Sequence, residues 1–285
     1  MEYKEHTGLS PSSLALFSGC ARKYFLRKIA KVPVDPDATE DQKPFQVGKA
    51  FHQVLEDTKH NLSGLTYSMV ELIAAKYGVT DDTPMLFAML SGYKKTHEKS
   101  GLKAIACEVV IETPKFYGIV DVVLDDGQGG FWIGDMKTSG KFFPLTVLTL
   151  PNHPQLSLYA SHVDVLANTL GLDPKDYKGC RYRMTLKAEL VQKKGEELST
   201  YIARLAERTK TYDYIIPKEM MNPAAILSVH DAAISHMTTK TEEKDYVPNY
   251  GNCTSYFRPC DYWSRCHGRT KTEMQSLDFI LAEDY

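Results

Sequence analysis

Apolar residues recur at helical spacing through Val47, Phe51, Val54 and Leu55, with Thr58 on the same face, which predicts a helix over 46–60. Upstream, Ser10 reads as an N-cap and Pro11 as the first helical position. Leu14, Phe17, Tyr24 and Ile29 then follow one face that Gly19 can interrupt. Three prolines and four acids make 33–44 a loop. Residues 66–99 predict one or two further helices, broken near Gly78 and Asp81-Asp82-Thr83-Pro84. The texture changes at Lys103, where β-rich runs cover 105–112, 116–124 and 131–136. The second and third are joined by Asp125-Asp126-Gly127-Gln128-Gly129-Gly130, a hairpin pattern. Helical spacing returns over 154–170 through Leu156, Tyr159, Val163 and Leu166, and Cys180, Tyr182, Met184 and Leu186 alternate as a strand. Helices are expected over 195–212 and 219–238, then a Pro-, Asn-, Gly- and Cys-rich loop over 245–268. No internal repeat interrupts this order.

Composition sharpens the class. The 285 residues are 43% hydrophobic and 25% charged, ordinary values for a globular chain. Thirty-four Lys and Arg against 36 Asp and Glu leave a formal charge of −2, which excludes a histone-like binder that holds nucleic acid by global charge. No apolar run reaches the roughly 18 residues of a membrane span, and Met1-Glu2-Tyr3-Lys4 opens no signal peptide, so no membrane partner is expected and a soluble, cytoplasmic protein is. In that compartment the six cysteines favour metal or redox chemistry over disulfides, and three of them, Cys253, Cys260 and Cys266, fall within fourteen residues.

Candidate chemistry gathers on the hairpin. Asp121 sits in Gly118-Ile119-Val120-Asp121-Val122-Val123, where an ionised carboxylate among four β-branched residues is costly unless paired or bound to metal. On the next strand Asp135 and Lys137 share a face, and hairpin pairing brings Asp121 towards them. Two carboxylates and an ammonium suit a Mg²⁺ site with a charge-stabilising lysine, although a surface Asp–Lys pair beside a structural Asp has the same spacing. Upstream, Gly48 and His52 to Glu56 give G-x-x-x-H-x-x-L-E on a helix. Downstream, Gln155 and Tyr159 stand one turn apart.

This order, helix with His, strand with Asp, strand with Asp-x-Lys, helix with Gln-x-x-x-Tyr, resembles the RecB-like branch of the PD-(D/E)XK nuclease superfamily over roughly residues 9–268. The resemblance implies a restriction-endonuclease-like α/β core, a central mixed β-sheet flanked by helices with a helical N-terminal insertion. It further implies a single nuclease domain over 1–285, with the insertion at 61–102. It makes His52, Asp121, Asp135 and the carbonyl of Met136 metal ligands for Mg²⁺ or Mn²⁺. Lys137 becomes the residue that orients or activates water and offsets phosphorane charge, and Gln155 and Tyr159 position metal, lysine and strand. The second acid is Asp where Glu is also found. Glu108 reads more simply as an exposed strand glutamate than as a further ligand, and Glu56 as a solvated helix residue.

Some RecB-like nucleases hold a 4Fe–4S cluster with one N-terminal and three C-terminal cysteines. By resemblance Cys20, Cys253, Cys260 and Cys266 form that set, joining the 245–268 loop to Cys20. The chain departs from the usual pattern in the gap of six residues between Cys253 and Cys260, where two are usual. Zn²⁺ in a Cys₄ or Cys₃His site with His267 stays open. Cys107 and Cys180 read as core cysteines. Basic residues cluster at Arg22, Lys23, Arg27, Lys28 and Lys31, at Lys178, Arg181, Arg183 and Lys187, and at Arg258, Arg265, Arg269 and Lys271. Beside the implied ligands these favour a phosphate-tracking groove. Tyr24, Phe25, Phe142, Phe143, Tyr256, Phe257 and Trp263 are candidates for base stacking.

The expected activity is hydrolysis of DNA phosphodiesters, as an exonuclease on single strands or duplex ends, in recombination, repair or CRISPR spacer processing. No G-x-x-x-x-G-K-[ST] loop occurs, so unwinding would come from a helicase, with a recombinase or CRISPR-integration protein as other partners. The alternatives are a DNA-binding or assembly module with weak or no catalysis, and a structural zinc protein. The complete set of His52, Asp121, Asp135 and Lys137 argues against the first.

Overall fold

The computed structural model describes residues 8–34, 43–142, 144–255, 258–262, 265 and 266. They fall into two compact units, one from residues up to 11 and from 42 to 230, the other from 12–41 and from 231 onward.

The larger unit is built on five strands, β1 (Lys103–Glu112), β2 (Tyr117–Asp125), β3 (Phe131–Ser139), β4 (Tyr177–Leu186) and β5 (Thr211–Pro217), in the order β1-β2-β3-β4-β5. The β3–β4 pair is parallel and the rest are antiparallel, so the sheet is mixed, as expected of an α/β nuclease core. Asp126 closes the β2–β3 hairpin by accepting the Gln128 and Gly130 amides on its Oδ1, at 2.8 and 2.9 Å. Parallel β3 and β4 require a long crossover. The chain between them supplies it with α6 (Pro144–Thr149), α7 (Pro154–Ser161) and α8 (Val163–Leu170).

One face of the sheet is covered by α3 (Lys43–Asp57), α4 (Tyr67–Lys76) and α5 (Thr83–Ser100). Their Phe51, Val54, Leu86, Leu90 and Tyr93 pack with Val122, Leu124 and Met136 of the strands in one buried core. Removing a large member such as Phe51 to alanine costs about 3–5 kcal/mol by the usual cavity argument. The region 61–102, expected as a helical insertion, supplies α4 and α5 and hence much of this core. Opposite, α7 and α8 bury Leu156, Leu158 and Leu166.

Several expected elements are shifted. The helix over 46–60 runs Lys43–Asp57. The 154–170 stretch breaks at His162, which leaves helical geometry at φ −115° and stacks on Phe116 at 4.1 Å. The helix expected over 195–212 is shorter, α9 (Leu198–Arg208), and the residues after it form β5. Thr-Tyr-Asp-Tyr-Ile-Ile is rich in aromatic and β-branched residues, a strand preference that the preceding helical period obscures.

The smaller unit holds α1 (Pro11–Gly19) from residue 12 onward, α2 (Ala21–Tyr24), a π-helical turn over Phe25–Ile29, and the two-stranded β6 (Thr254–Ser255) and β7 (Arg258–Pro259). Phe25, Leu26, Tyr246 and Tyr262 are its buried core. The boundary between units falls within α10 (Pro223–Thr239).

Candidate active site

Pairing of β2 with β3 runs from Asp125↔Phe131 to Val122↔Gly134. Just beyond, the Asp121 carboxylate takes a backbone partner itself, accepting the Met136 N–H on Oδ2 at 2.7 Å. Asp135 is wholly buried; its Oδ1 accepts from Lys137 Nζ at 2.8 Å, and its Oδ2, also buried, has no hydrogen-bond partner. The helix α3 brings His52 Nδ1 to 3.9 Å from Asp121 Oδ2.

Glu108 joins them. It lies between the β1–β2 pairs Cys107↔Val122 and Val109↔Val120 with φ +49°, a conformation that costs a non-glycine residue roughly 1–3 kcal/mol and is found preferentially at functional sites. Among the described residues, one group of donor side chains has its ligand atoms all within 4.8 Å of one another: His52, Glu108 and Asp121. Glu108 is thus a strand residue that is not buried, and one that also lies within reach of His52 and Asp121. The sequence clue was its position directly opposite Asp121 once the strands are paired.

Electrostatics explain why such a site needs a cation. Burial first, then Asp121 and Glu56, push the Glu108 carboxyl up to about 7. Burial and Asp135 raise Asp121 above the usual carboxylate range, against His52, Lys137 and the Met136 amide. For Lys137, burial favours the neutral amine, but Asp135 and Asp121 outweigh it and hold the ammonium charged. Two aspartates thus share Lys137, while Glu108 adds a third carboxylate beside Asp121. The shortfall of positive charge, the clustered donors and the orphaned Asp135 oxygen together fit a divalent metal ion.

Gln155 and Tyr159 of α7 support this arrangement from the other side. Gln155 Nε2 donates to Tyr159 Oη at 3.1 Å, and Tyr159 Oη donates to the Ile119 carbonyl at 2.5 Å, two residues before Asp121. The Tyr159 ring packs over Gly118, where a Cβ would lie 2.8 Å from its Cε1, so no side chain fits there. His153, at the N-cap of α7, was not singled out from the sequence. Burial lowers its pKa, and Asp135 and Lys137 both act on it, which places it beside the pair. Glu56 is exposed and hydrogen-bonded to Gln53.

The four candidate cysteines all lie in the smaller unit as free thiols. The β6–β7 ladder pairs Thr254 with Pro259, and the Cys260 N–H donates to the Cys253 carbonyl at 2.7 Å, so a hairpin spans the unusual six-residue gap. Cys20 Sγ accepts the amides of Lys23 and Asn249 at 3.5 and 3.4 Å. Burial raises the Cys266 thiol; Arg22 opposes this, and Cys260, Cys20 and Cys253 add to it. Cys180 is buried, whereas Cys107 is half-buried.

The basic runs are largely spoken for. Arg181 and the fully buried Arg183 both bind Asp213, at 2.6 and 3.0 Å, so neither faces a nucleic-acid groove. Arg22 and Arg265 share Glu243, while Lys23 and Arg27 flank Asp261. Phe143, Tyr256, Phe257, Trp263, His267, Arg269 and Lys271 lie outside the described residues.

A family model described as PD-(D/E)XK nuclease superfamily matches residues 8–267. No curated protein matches the chain. A solved structure titled "Crystal structure of SSO0001" aligns over 72% of this chain and 80% of its own, at 12% identity and a TM-score of 0.28, too low a score to bear on function.

Proposed function

The chain belongs to the PD-(D/E)XK nuclease superfamily, whose members are metal-dependent nucleases, and from that premise we propose that it is a RecB-like exonuclease acting on single-stranded DNA or duplex ends. The observation that carries this reading is the convergence of His52, Glu108 and Asp121 donor atoms within 4.8 Å, in the sheet that also holds the Asp135–Lys137 pair. Asp121, His52 and Glu108 would hold the ion, with Asp135 and the Met136 carbonyl as further ligands. A bound Mg²⁺ or Mn²⁺ supplies Lewis acidity toward the scissile phosphate and toward water. Lys137, kept protonated by its two aspartates, donates to the phosphate and offsets the charge that builds there as water attacks. Tyr159 and Gln155 fix the strand that carries Asp121, so the lysine and the carboxylates keep their spacing during turnover.

The same reading assigns Cys20, Cys253, Cys260 and Cys266 to a 4Fe–4S cluster within one nuclease domain that includes both units. Amide donors to Cys20 Sγ and the hairpin across Cys253 and Cys260 support it, since N–H bonds to sulfur are a standard way to stabilise cluster thiolates. Protein purified anaerobically is expected to be brown with broad visible absorption; a colourless, zinc-containing protein contradicts the cluster. Recombination, repair or spacer processing is the proposed setting, with any unwinding left to a helicase partner.

Linear and circular single strands of one sequence, incubated with Mn²⁺, test the exonuclease reading. Degradation of the linear strand alone is expected. Cutting of the circle at a similar rate contradicts it.

A further inference from the structure

The register across β3, β4 and β5 sorts one face of the sheet into three rows. The first is Ile133–Cys180–Ile216, all buried. The second is Asp135–Tyr182–Tyr214, and the third Lys137–Met184–Tyr212. Opposed residues on paired strands share a face, so the rows that begin with the catalytic pair on β3 end in tyrosines on β5. β5 is an edge strand; α5 meets it through Thr96, which donates to the Thr211 carbonyl, and on the opposite face through Arg183 of β4, which binds Asp213 as well as Tyr93, His97 and Ser100 of α5. Tyr212 and Tyr214 are only partly buried.

The rings form a continuous line. The His153 ring lies 5.8 Å from Tyr182, Tyr182 lies 6.4 Å from Tyr214, and Tyr214 lies 6.2 Å from Tyr212 with the planes within 7°. Phe142 then stacks on Tyr212 at 4.6 Å. Steps of 6.2 and 6.4 Å are nearly twice the roughly 3.4 Å rise of a duplex strand, a spacing that bases reach only when stretched and unpaired. Two interstrand steps of about 4.8 Å separate β3 from β5, so the tyrosines stand one or two nucleotides from a phosphate at Lys137.

We propose that Tyr212 and Tyr214, with Tyr182 leading to them, are a stacking platform for unpaired bases of the strand whose phosphate is cut at Asp135 and Lys137. The inference rests on the nuclease reading above and deepens it: the platform selects single strands because a duplex keeps its base faces stacked on one another. Aromatic faces accept any base, so the platform confers a preference for strand state rather than for sequence. The occupant is nucleic acid rather than a second copy of this chain, because the line of rings runs continuously from the catalytic pair.

The test is fluorescence anisotropy with a short labelled oligothymidylate, in Ca²⁺ to hold cleavage back. The Tyr212→Ala/Tyr214→Ala variant is expected to bind at least about fivefold more weakly, with the double Phe variant close to wild type. An abasic strand of equal length supplies the control: wild type and the Ala variant should bind it alike. Unchanged binding of oligothymidylate by the Ala variant overturns the platform. An equal loss on the abasic strand overturns it too, since the damage would then be to the fold or the backbone path. If wild type binds neither strand, the nuclease reading falls with it; if wild type binds and only the base dependence is missing, that reading stands and the platform does not.

Discussion

Arg183 has no exposed surface and yet satisfies its guanidinium: Nε donates to Asp213 at 3.0 Å, Nη1 to Tyr93 and His97 at 3.2 and 2.7 Å, and Nη2 to Ser100 at 2.9 Å. A guanidinium only donates, so His97 Nδ1 must accept, and the histidine is neutral with its proton on Nε2. Burial and then Arg183 lower His97 to about 4; burial, His97 and Arg183 lower His60, hydrogen-bonded to Tyr93, to about 3. An unfolded histidine takes its proton near pH 6.5, before either folded one does. Their contribution to stability is therefore complete above about 6.5 and is lost as pH falls towards 4 and 3. His97→Gln keeps an acceptor for Arg183 without the titration. Denaturant melts at pH 7 and 4.5 should show wild type losing roughly 2 kcal/mol more than the variant over that interval. The sequence offered Arg181 and Arg183 as a basic patch because charge is visible in a sequence and a partner some thirty residues away is not. Asp135 and Lys137 were legible for the opposite reason: their pairing is local.

Strand register positions the site, and Gly134 guards it. A Cβ at Gly134 would lie 2.5 Å from Val122 Cγ1 and 2.9 Å from Met136 Cε, so Gly134→Ala must push β2 from β3 at their last pair before Asp121. A loss of about 1–3 kcal/mol in stability is expected, with weaker Mn²⁺ binding by calorimetry, since Asp121 is anchored on the Met136 amide. A variant as stable as wild type with unchanged Mn²⁺ affinity contradicts that coupling. At this scale the helices and the β2–β3 hairpin were readable because period and turn residues are local properties. β5 was not, because seven residues after an amphipathic helix carry too short an alternation to outweigh it. Glu108 was placed with His52 and Asp121 only by register and by its left-handed backbone, neither of which a lone strand sequence displays.

For the whole molecule, a formal charge of −2 coexists with a site where Glu108, Asp121 and Asp135 gather, so the balance of charges says little about where cations or phosphates go. The smaller unit has a slight core, Phe25, Leu26, Tyr246 and Tyr262, and a core of that size gains most from a metal or cluster that closes a long loop. Cys253→Ser, prepared anaerobically, should lose visible absorption and hydrogen-exchange protection around Tyr246 while β2 and β3 keep theirs. Protection unchanged in both regions contradicts a stapling role. No described helix is long and apolar enough to cross a membrane. Lys137, beside a metal that His52, Glu108, Asp121 and Asp135 would hold, is proposed to catalyse phosphodiester hydrolysis. The most direct test compares nucleotide release from end-labelled single-stranded DNA in Mn²⁺ by wild type and by Lys137→Ala. Release is expected to be at least about 100-fold slower in the variant, with Mn²⁺ binding retained; equal rates of release by the two proteins contradict a catalytic Lys137.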